Sequence, residues 1–225
     1  MQTDSHDPQK ELHGSTYVEH FNNARQEQRV RQLVRWVSLP PHASILDIGC
    51  GTGILSRLLE GCYAQYSGID FSEDMISAAR DLTKGSAHCH FHCADAVGFL
   101  DGKIEQFDAI FLLDISEHVA DQQWSAIVEA ARPALKANGV VYLHTPNLDF
   151  FVELLKHHGW IRQFPEHIAV RSQAGNCHFF RDAGYSDVRV SKLPHYNALR
   201  YLHPLSRLPI AGKYLAARLW LVASK

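Results

Sequence analysis

The sequence predicts an α/β fold in which helices cover both faces of a mostly parallel sheet. Two observations carry this: short apolar runs alternate with amphipathic segments through the first two thirds of the chain, and the first run ends in a glycine-rich turn that opens a helical period.

Residues 24 to 38 place Val30, Leu33, Val34 and Val37 at helical spacing before the "LPP" break. Strands are then expected at "SILDIG" (44 to 49), "YSGID" (66 to 70), "HCHFHCAD" (88 to 95), "FDAIFLLD" (107 to 114) and "GVVYLHT" (139 to 145). The intervening "GILSRLLEG", "SEDMISAARDL" and "DQQWSAIVEAARPALKANG" read as helices. The last puts Trp124, Ile127, Val128, Ala131 and Leu135 on one face and is expected to stop at Asn138-Gly139. Helices near 148 to 158 and 172 to 183 and strands at "YSDVRVS" and "ARLWLVAS" complete the pattern, while residues 193 to 214 show no period.

At 225 residues the chain suits a single domain, residues 1–225, with residues 1–15 flexible. Lysine and arginine (22) nearly balance aspartate and glutamate (24), so no global field draws the chain to nucleic acid or a bilayer, and a small-molecule partner is favoured. The amino terminus lacks the apolar core of a secretory signal, and no run is long enough for a transmembrane segment. Five irregularly spaced cysteines do not form a disulfide framework; a cytoplasmic protein with free thiols is expected, as a monomer or homodimer.

In "ILDIGCGTG" an apolar strand ends at Asp47 and runs through Gly49, Cys50, Gly51 and Gly53 into a helix. Glycines there let the backbone turn tightly and approach a ligand, and the helix start presents unsatisfied N–H groups. A nicotinamide-dinucleotide fingerprint counted from Gly49 would need its third glycine at Ile54, which weakens an oxidoreductase reading. The pattern D-x-G-x-G-x-G fits from Asp47 to Gly53. Here the sequence resembles the class I S-adenosylmethionine-dependent methyltransferases, over about residues 30 to 225. The resemblance implies a Rossmann-like seven-stranded sheet whose last strand is antiparallel, and S-adenosyl-L-methionine as cofactor. It assigns the ribose hydroxyls to Asp70, the flanks of adenine to Phe71 and Met75, the adenine amino group to Asp95 with the Ala96 N–H nearby, and the aminopropyl-carboxylate end to Asp47 and the glycine loop. Each acid alone would also serve as a helix N-cap or loop end.

"FLLDISEHV" follows the fourth strand and is similar to the E-x-x-E-H-V segment of ubiquinone-biosynthesis O-methyltransferases and small-RNA 2'-O-methyltransferases. In those, acids and a histidine bind a divalent cation at the acceptor hydroxyl. Asp114, also counted among the cofactor-binding candidates, takes the place of the first glutamate; Glu117 and His118 match. "LHTPN" and "PEHIAVRSQAGNCHFFRDAGY" extend the likeness and add His167. Asp114, Glu117 and His118 are therefore candidate metal ligands, with His167 completing the set, and His118 and His167 are candidate catalytic residues. E-H-V also occurs in metal-independent relatives, so a general-base or positioning role for His118 stands beside the metal. Segments 148–171 and 193–214 fall where the family builds its acceptor pocket and lid. They contribute Phe150, Phe151, Trp160, Phe164, Tyr196 and Tyr201, which suit a small aromatic or lipophilic acceptor that is O-methylated. Alternatives are N- or carboxyl-methylation of a small metabolite, 2'-O-methylation of RNA, for which the chain has no basic arm, and a catalytically silent binding module.

The stretch "AHCHFHCADA" crowds three histidines and two cysteines together. On a strand, His88, His90 and His92 face one way and Cys89, Phe91 and Cys93 the other, so the ligands do not converge. The expectation is an edge strand with a buried cysteine-phenylalanine face, delivering Asp95 to the cofactor.

Overall fold

A computed structural model describes residues 24–225; the segment expected to be flexible, 1–15, lies outside the described residues. Helix α1 (Ala24–Val34) buries Val30 and Leu33. Seven strands follow among the described residues: β1 (Ala43–Ile48), β2 (Tyr63–Asp70), β3 (Cys89–Cys93), β4 (Phe107–Leu113), β5 (Leu135–Pro146), β6 (Asp187–Leu193) and β7 (Arg218–Ser224). Between them lie α2 (Ile54–Leu58), α3 (Glu73–Leu82), α4 (Ala96–Leu100), α5 (Asp121–Ala134), α6 (Phe151–His157) and α7 (Gln173–Asp182).

The strands form one sheet in the order β3-β2-β1-β4-β5-β7-β6. Pairing is parallel from β3 to β5, and β7 runs antiparallel to both β5 and β6, as expected. The chain leaves β1 outward through β2 and β3, then returns to place β4 on the other side of β1. That reversal opens a crevice at the carboxyl ends of β1 and β4, the position where open α/β sheets hold ligands.

Residue alternation along the strands builds a core on each face. In β4, Ile110 and Leu112 pack with Trp124, Val128 and Phe180 from α5 and α7, while Ala109 and Phe111 pack with Ile45, Tyr66, Tyr142 and Trp220 under α1, α2 and α3. Trp124 is fully buried, so its truncation to alanine would cost about 3–5 kcal/mol by lost contacts and the cavity left behind.

Two expectations are corrected. Helix α5 ends at Ala134, not at Asn138-Gly139, and Leu135 begins β5. Pro133, in the last turn, lacks an N–H and hinders helix continuation, and the carbonyls of Pro133 and Ala134 accept hydrogen bonds from the amides of Glu105 and Gln106 instead. The residues up to Gly139 form a sheet irregularity instead, where Phe107 pairs with Leu135 but Ala109 pairs with Val140. On β3, an edge strand as expected, only Phe91 is buried; Cys89 is half-buried and Cys93 exposed, because the edge has a neighbour on one side only. His90 and His92 are exposed, and His92 packs against Phe99, ring centroids 5.5 Å apart.

Candidate active site

The loop after β1 turns through left-handed conformations at Gly49, Gly51 and Gly53 (φ +72°, +52° and +75°). At Gly49 the requirement is double, since a Cβ there would also collide with the Ile115 side chain. The Gly49 and Cys50 amides donate to the Ile69 carbonyl at 2.8 and 3.0 Å, which ties the loop to the end of β2.

Asp70, closing β2, accepts hydrogen bonds from the Gly51 amide (3.0 Å) and the Ser72 amide (3.0 Å), so it braces the glycine loop and the start of α3 together. Asp47 is buried and accepts a short bond of 2.5 Å from the Tyr66 hydroxyl. Burial pushes its carboxyl up to about 7, against the Tyr66 hydrogen bond, which favours the carboxylate. Asp95 stands exposed at the end of β3, where its carboxylate accepts from the Gly98 amide at 2.9 Å and caps α4, which begins at Ala96. Phe71 is 40% exposed at the same edge; Met75 is buried, its amide held by the Ser72 hydroxyl. Asp47, Asp70 and Asp95 thus line up along the carboxyl ends of three neighbouring strands.

Asp114 follows β4 in a left-handed conformation (φ +54°). Its carboxylate meets Arg29 of α1 at 3.1 Å, Arg218 of β7 at 3.1 Å and the Nδ1 of His144 at 2.9 Å. Burial alone would raise this acid, but Arg29, His144 and Arg218 outweigh it and hold it well below the usual carboxylate range. With Asp114 as acceptor, His144 carries its proton on Nδ1 and receives the Tyr196 hydroxyl at Nε2, 2.8 Å away. The guanidinium carbons of Arg29 and Arg218 lie 5.7 and 5.3 Å from the Tyr196 ring centre.

The metal-type cluster among the described residues is Glu117, His118 and His167, whose ligand atoms all lie within 4.8 Å of one another. Of the expected set, Glu117, His118 and His167 come together, while Asp114 stands outside this cluster, its oxygens engaged by two guanidiniums and an imidazole. A 3-10 turn, Ser116–His118, presents the first two residues. Glu117 is buried and accepts from the Thr145 hydroxyl at 3.3 Å; Thr145 in turn lies 2.7 Å from the Ser116 hydroxyl. Burial, then the Asp114 charge, pushes Glu117 up to about 8. His118 Nδ1 lies 2.9 Å from the Glu166 carbonyl, which can only accept, so Nδ1 carries the proton and the ring lone pair is on Nε2. His167 stacks edge-on against His118 at 5.1 Å, and its buried Nδ1 has no hydrogen-bond partner. Burial, then the neighbouring His118, lowers its pKa to about 4, which keeps the ring neutral.

A cleft at the switch point is lined by Asp47, Gly49, Cys50 and Asp114, together with Gln26, Arg29 and Val30 from α1. Sequence reasoning passed over Arg29, although its spacing from Gln26 and Leu33 puts it beside Val30 on the inward face. It also passed over Arg171, whose guanidinium is buried and donates to the carbonyls of Ser116, Ala169 and Val119 and to Asp121. No local pattern marks such a residue, because all but one of its acceptors come from fifty or more positions away. Of the expected pocket aromatics, Phe150 is buried and Tyr196 is half-buried, but Trp160, Phe164 and Tyr201 face solvent.

A family model described as a methyltransferase domain matches residues 19–190. A ubiquinone biosynthesis O-methyltransferase from Hydrogenovibrio crunogenus is 33% identical over 113 residues, 50% of this chain and 46% of the relative. One from Xanthomonas campestris is 30% identical over 145 residues, 64% and 55% of the two chains. The chain thus spans about half the length of the curated relatives it matches. Among solved structures, a SAM-dependent methyltransferase from Archaeoglobus fulgidus superposes with a TM-score of 0.69 at 17% identity, covering 93% of this chain and 98% of that one. Magnesium protoporphyrin IX methyltransferase from Synechocystis, with S-adenosylhomocysteine bound, gives 0.69 at 19% identity, covering 96% and 97%.

Proposed function

The chain belongs to the methyltransferase domain family, and from that premise we propose that it transfers a methyl group from S-adenosylmethionine to an oxygen of a small aromatic or lipophilic acceptor. The observation that carries this reading is the arrangement at the switch point. A glycine loop and three acids span one half of the sheet edge, and Glu117, His118 and His167 stand beside the other half. The names of the curated relatives favour oxygen as the methylated atom.

In this reading Asp70 holds the ribose hydroxyls, Asp95 and the Ala96 N–H the adenine edge, and Phe71 and Met75 its faces. Asp47, Gly49, Cys50, Gly51 and Gly53 receive the methionine end, and Arg29 supplies a positive charge for its carboxylate. The acceptor oxygen attacks the methyl carbon in line with the sulfur; the new O–C bond forms as the C–S bond breaks, and S-adenosylhomocysteine leaves. His118 Nε2 takes the acceptor proton, with its ring held by the Glu166 carbonyl. The unpartnered Nδ1 of neutral His167 also supports a divalent cation, which Glu117, His118 and His167 would hold as one carboxylate and two imidazoles. Such a cation would lower the pKa of a hydroxyl placed beside it.

A cytoplasmic location is the proposed one, in keeping with five free cysteines, and the proposed assembly is a monomer or homodimer. No helix among the described residues is long and apolar enough to cross a membrane.

Calorimetry with S-adenosylmethionine and, separately, NAD tests the cofactor, and failure of the former to bind overturns the proposal. Labelled methyl transfer to small phenols, catechols and lipid extracts, run with and without EDTA, tests the chemistry. Turnover that survives EDTA leaves His118 as the base, and turnover that EDTA abolishes and a divalent cation restores assigns the cation.

A further inference from the structure

Arg29 lines the cleft beside Asp47, Gly49 and Cys50, yet few contacts fix its guanidinium there. Among the described residues it has two partners: Asp114, 3.1 Å away from its Nη2, and the ring of Tyr196, whose centre lies 5.7 Å from its Cζ. The buried Nε of Arg29 meets no hydrogen-bond acceptor. A long side chain with one ion pair keeps a single rotamer more firmly when a surface packs against its flat face. Tyr196 supplies that surface, although it does not itself line the cleft.

Tyr196 is in turn anchored to the sheet. Its hydroxyl donates to Nε2 of His144 at 2.8 Å, and burial, then the Asp114 charge, pushes the phenol up, which keeps that proton in place. His144 is fully buried on β5, with Nδ1 2.9 Å from Asp114. Asp114 divides its oxygens: Oδ1 faces His144 and Arg218, and Oδ2 faces Arg29. Arg29, Asp114, His144 and Tyr196 therefore close a circuit drawn from α1, the turn after β4, β5 and the segment after β6.

Two properties of a tyrosine are used here. The face of its ring attracts a guanidinium, more strongly where water is excluded, and its hydroxyl fixes the ring to His144. Arg218 also lies over this ring, its Cζ 5.3 Å from the centre. Phenylalanine at this position would keep the first property and lose the second; leucine would lose both. Tyr196 was expected among the aromatics of the acceptor pocket, but its ring and hydroxyl are turned into the charged circuit beside the cofactor cleft.

We propose that Tyr196 is a positioning residue for the cofactor: its ring holds the Arg29 guanidinium beside the glycine loop, ready for the carboxylate at the methionine end. This role rests on the reading of Arg29 as the partner of that carboxylate, and the measurements below separate the two.

Calorimetry of the full chain with S-adenosylhomocysteine and with 5'-methylthioadenosine tests it, because the second ligand keeps the adenosine and the thioether but lacks the carboxylate. Tyr196→Leu should weaken S-adenosylhomocysteine binding roughly tenfold and leave 5'-methylthioadenosine unchanged, which also shows that the cleft is intact. Tyr196→Phe keeps the ring and should recover most of the loss. In an Arg29→Gln background Tyr196→Leu should have no further effect, since it acts through that guanidinium. Tyr196→Met repeats the measurement should the leucine variant not fold. Equal weakening of both ligands, weakening of neither, or a full effect that persists in the Arg29→Gln background would each overturn the proposal while leaving Arg29 in its role. If Arg29→Gln itself weakens both ligands alike, the reading of Arg29 falls and takes the role of Tyr196 with it. Wild-type protein that does not bind S-adenosylhomocysteine would sink the cofactor reading as a whole.

Discussion

Arg29 reaches from the first described helix to within 3.1 Å of Asp114 at the end of the fourth strand, closing a contact over the cleft beside the glycine loop. Asp114 also neutralises Arg218, so Asp114→Asn leaves two guanidiniums without a counter-charge. Both ends of the pair keep some solvent, which lowers the cost from that of a fully buried pair to about 2–3 kcal/mol. The melting temperature should fall by about 5–10 °C. A melting temperature equal to that of the wild type would show that the pair holds nothing together.

Gly49 and Gly61 both have positive φ, but they differ in surroundings: a Cβ at Gly49 meets Ile115, whereas one at Gly61 meets nothing within 4 Å. Gly61→Ala should cost only the backbone term, about 1–2 kcal/mol. Gly49→Ala adds a collision and displaces the loop, so it should destabilise further and weaken S-adenosylmethionine binding. Urea denaturation and calorimetry on the two variants check this, and equal effects would refute the distinction.

Asp47 gives the ligand-free protein a pH dependence whose sign is set by its raised pKa. Between the ordinary 3.8 and about 7 the folded state keeps a proton that the unfolded chain has released. Stability therefore falls as pH rises through that window and is level above it for this group. Asp47→Asn should flatten this part of the curve. Tyr66→Phe, which removes the hydrogen bond favouring the carboxylate, should carry the decline to higher pH. Urea midpoints at pH 5 and pH 8, compared between wild type and each variant, give the test.

Arg171 fixes the start of the segment leading to α7 against the turn that bears Glu117 and His118, donating to Ser116, Val119 and Asp121. Lysine keeps the charge but cannot reproduce a planar fork of donors. Arg171→Lys should lose about 2–3 kcal/mol, since buried carbonyls are left unsatisfied. It should also lower turnover with little change in cofactor affinity. A variant that loses cofactor affinity and turnover in parallel would contradict this role.

The sheet, the line of acids along its β1–β3 half and the switch-point loop were legible in the sequence because each is encoded locally. Alternation within a strand, glycines at three alternating positions, and acids closing successive strands need only neighbouring residues to be recognised. The end of α5 was misplaced because the apolar period continues to Leu135, while Pro133 and the amides of Glu105 and Gln106 decide where the helix stops. Cys93 was expected to be buried from alternation alone, which says which way a side chain faces but not what covers it.

By itself the sequence determined the order of elements and the line of Asp47, Asp70 and Asp95 along the sheet edge. Tertiary structure alone decided how the remaining charges pair. Asp114 lies 85 positions from Arg29 and 104 from Arg218, yet packing brings both guanidiniums to it and takes it out of the cluster with Glu117 and His118. His167 enters that cluster because the chain after β5 folds back over the turn at Ser116–His118. Spacing along a chain encodes periodic faces; the pairing of buried charges depends on which distant groups are desolvated together, and only the folded chain specifies that.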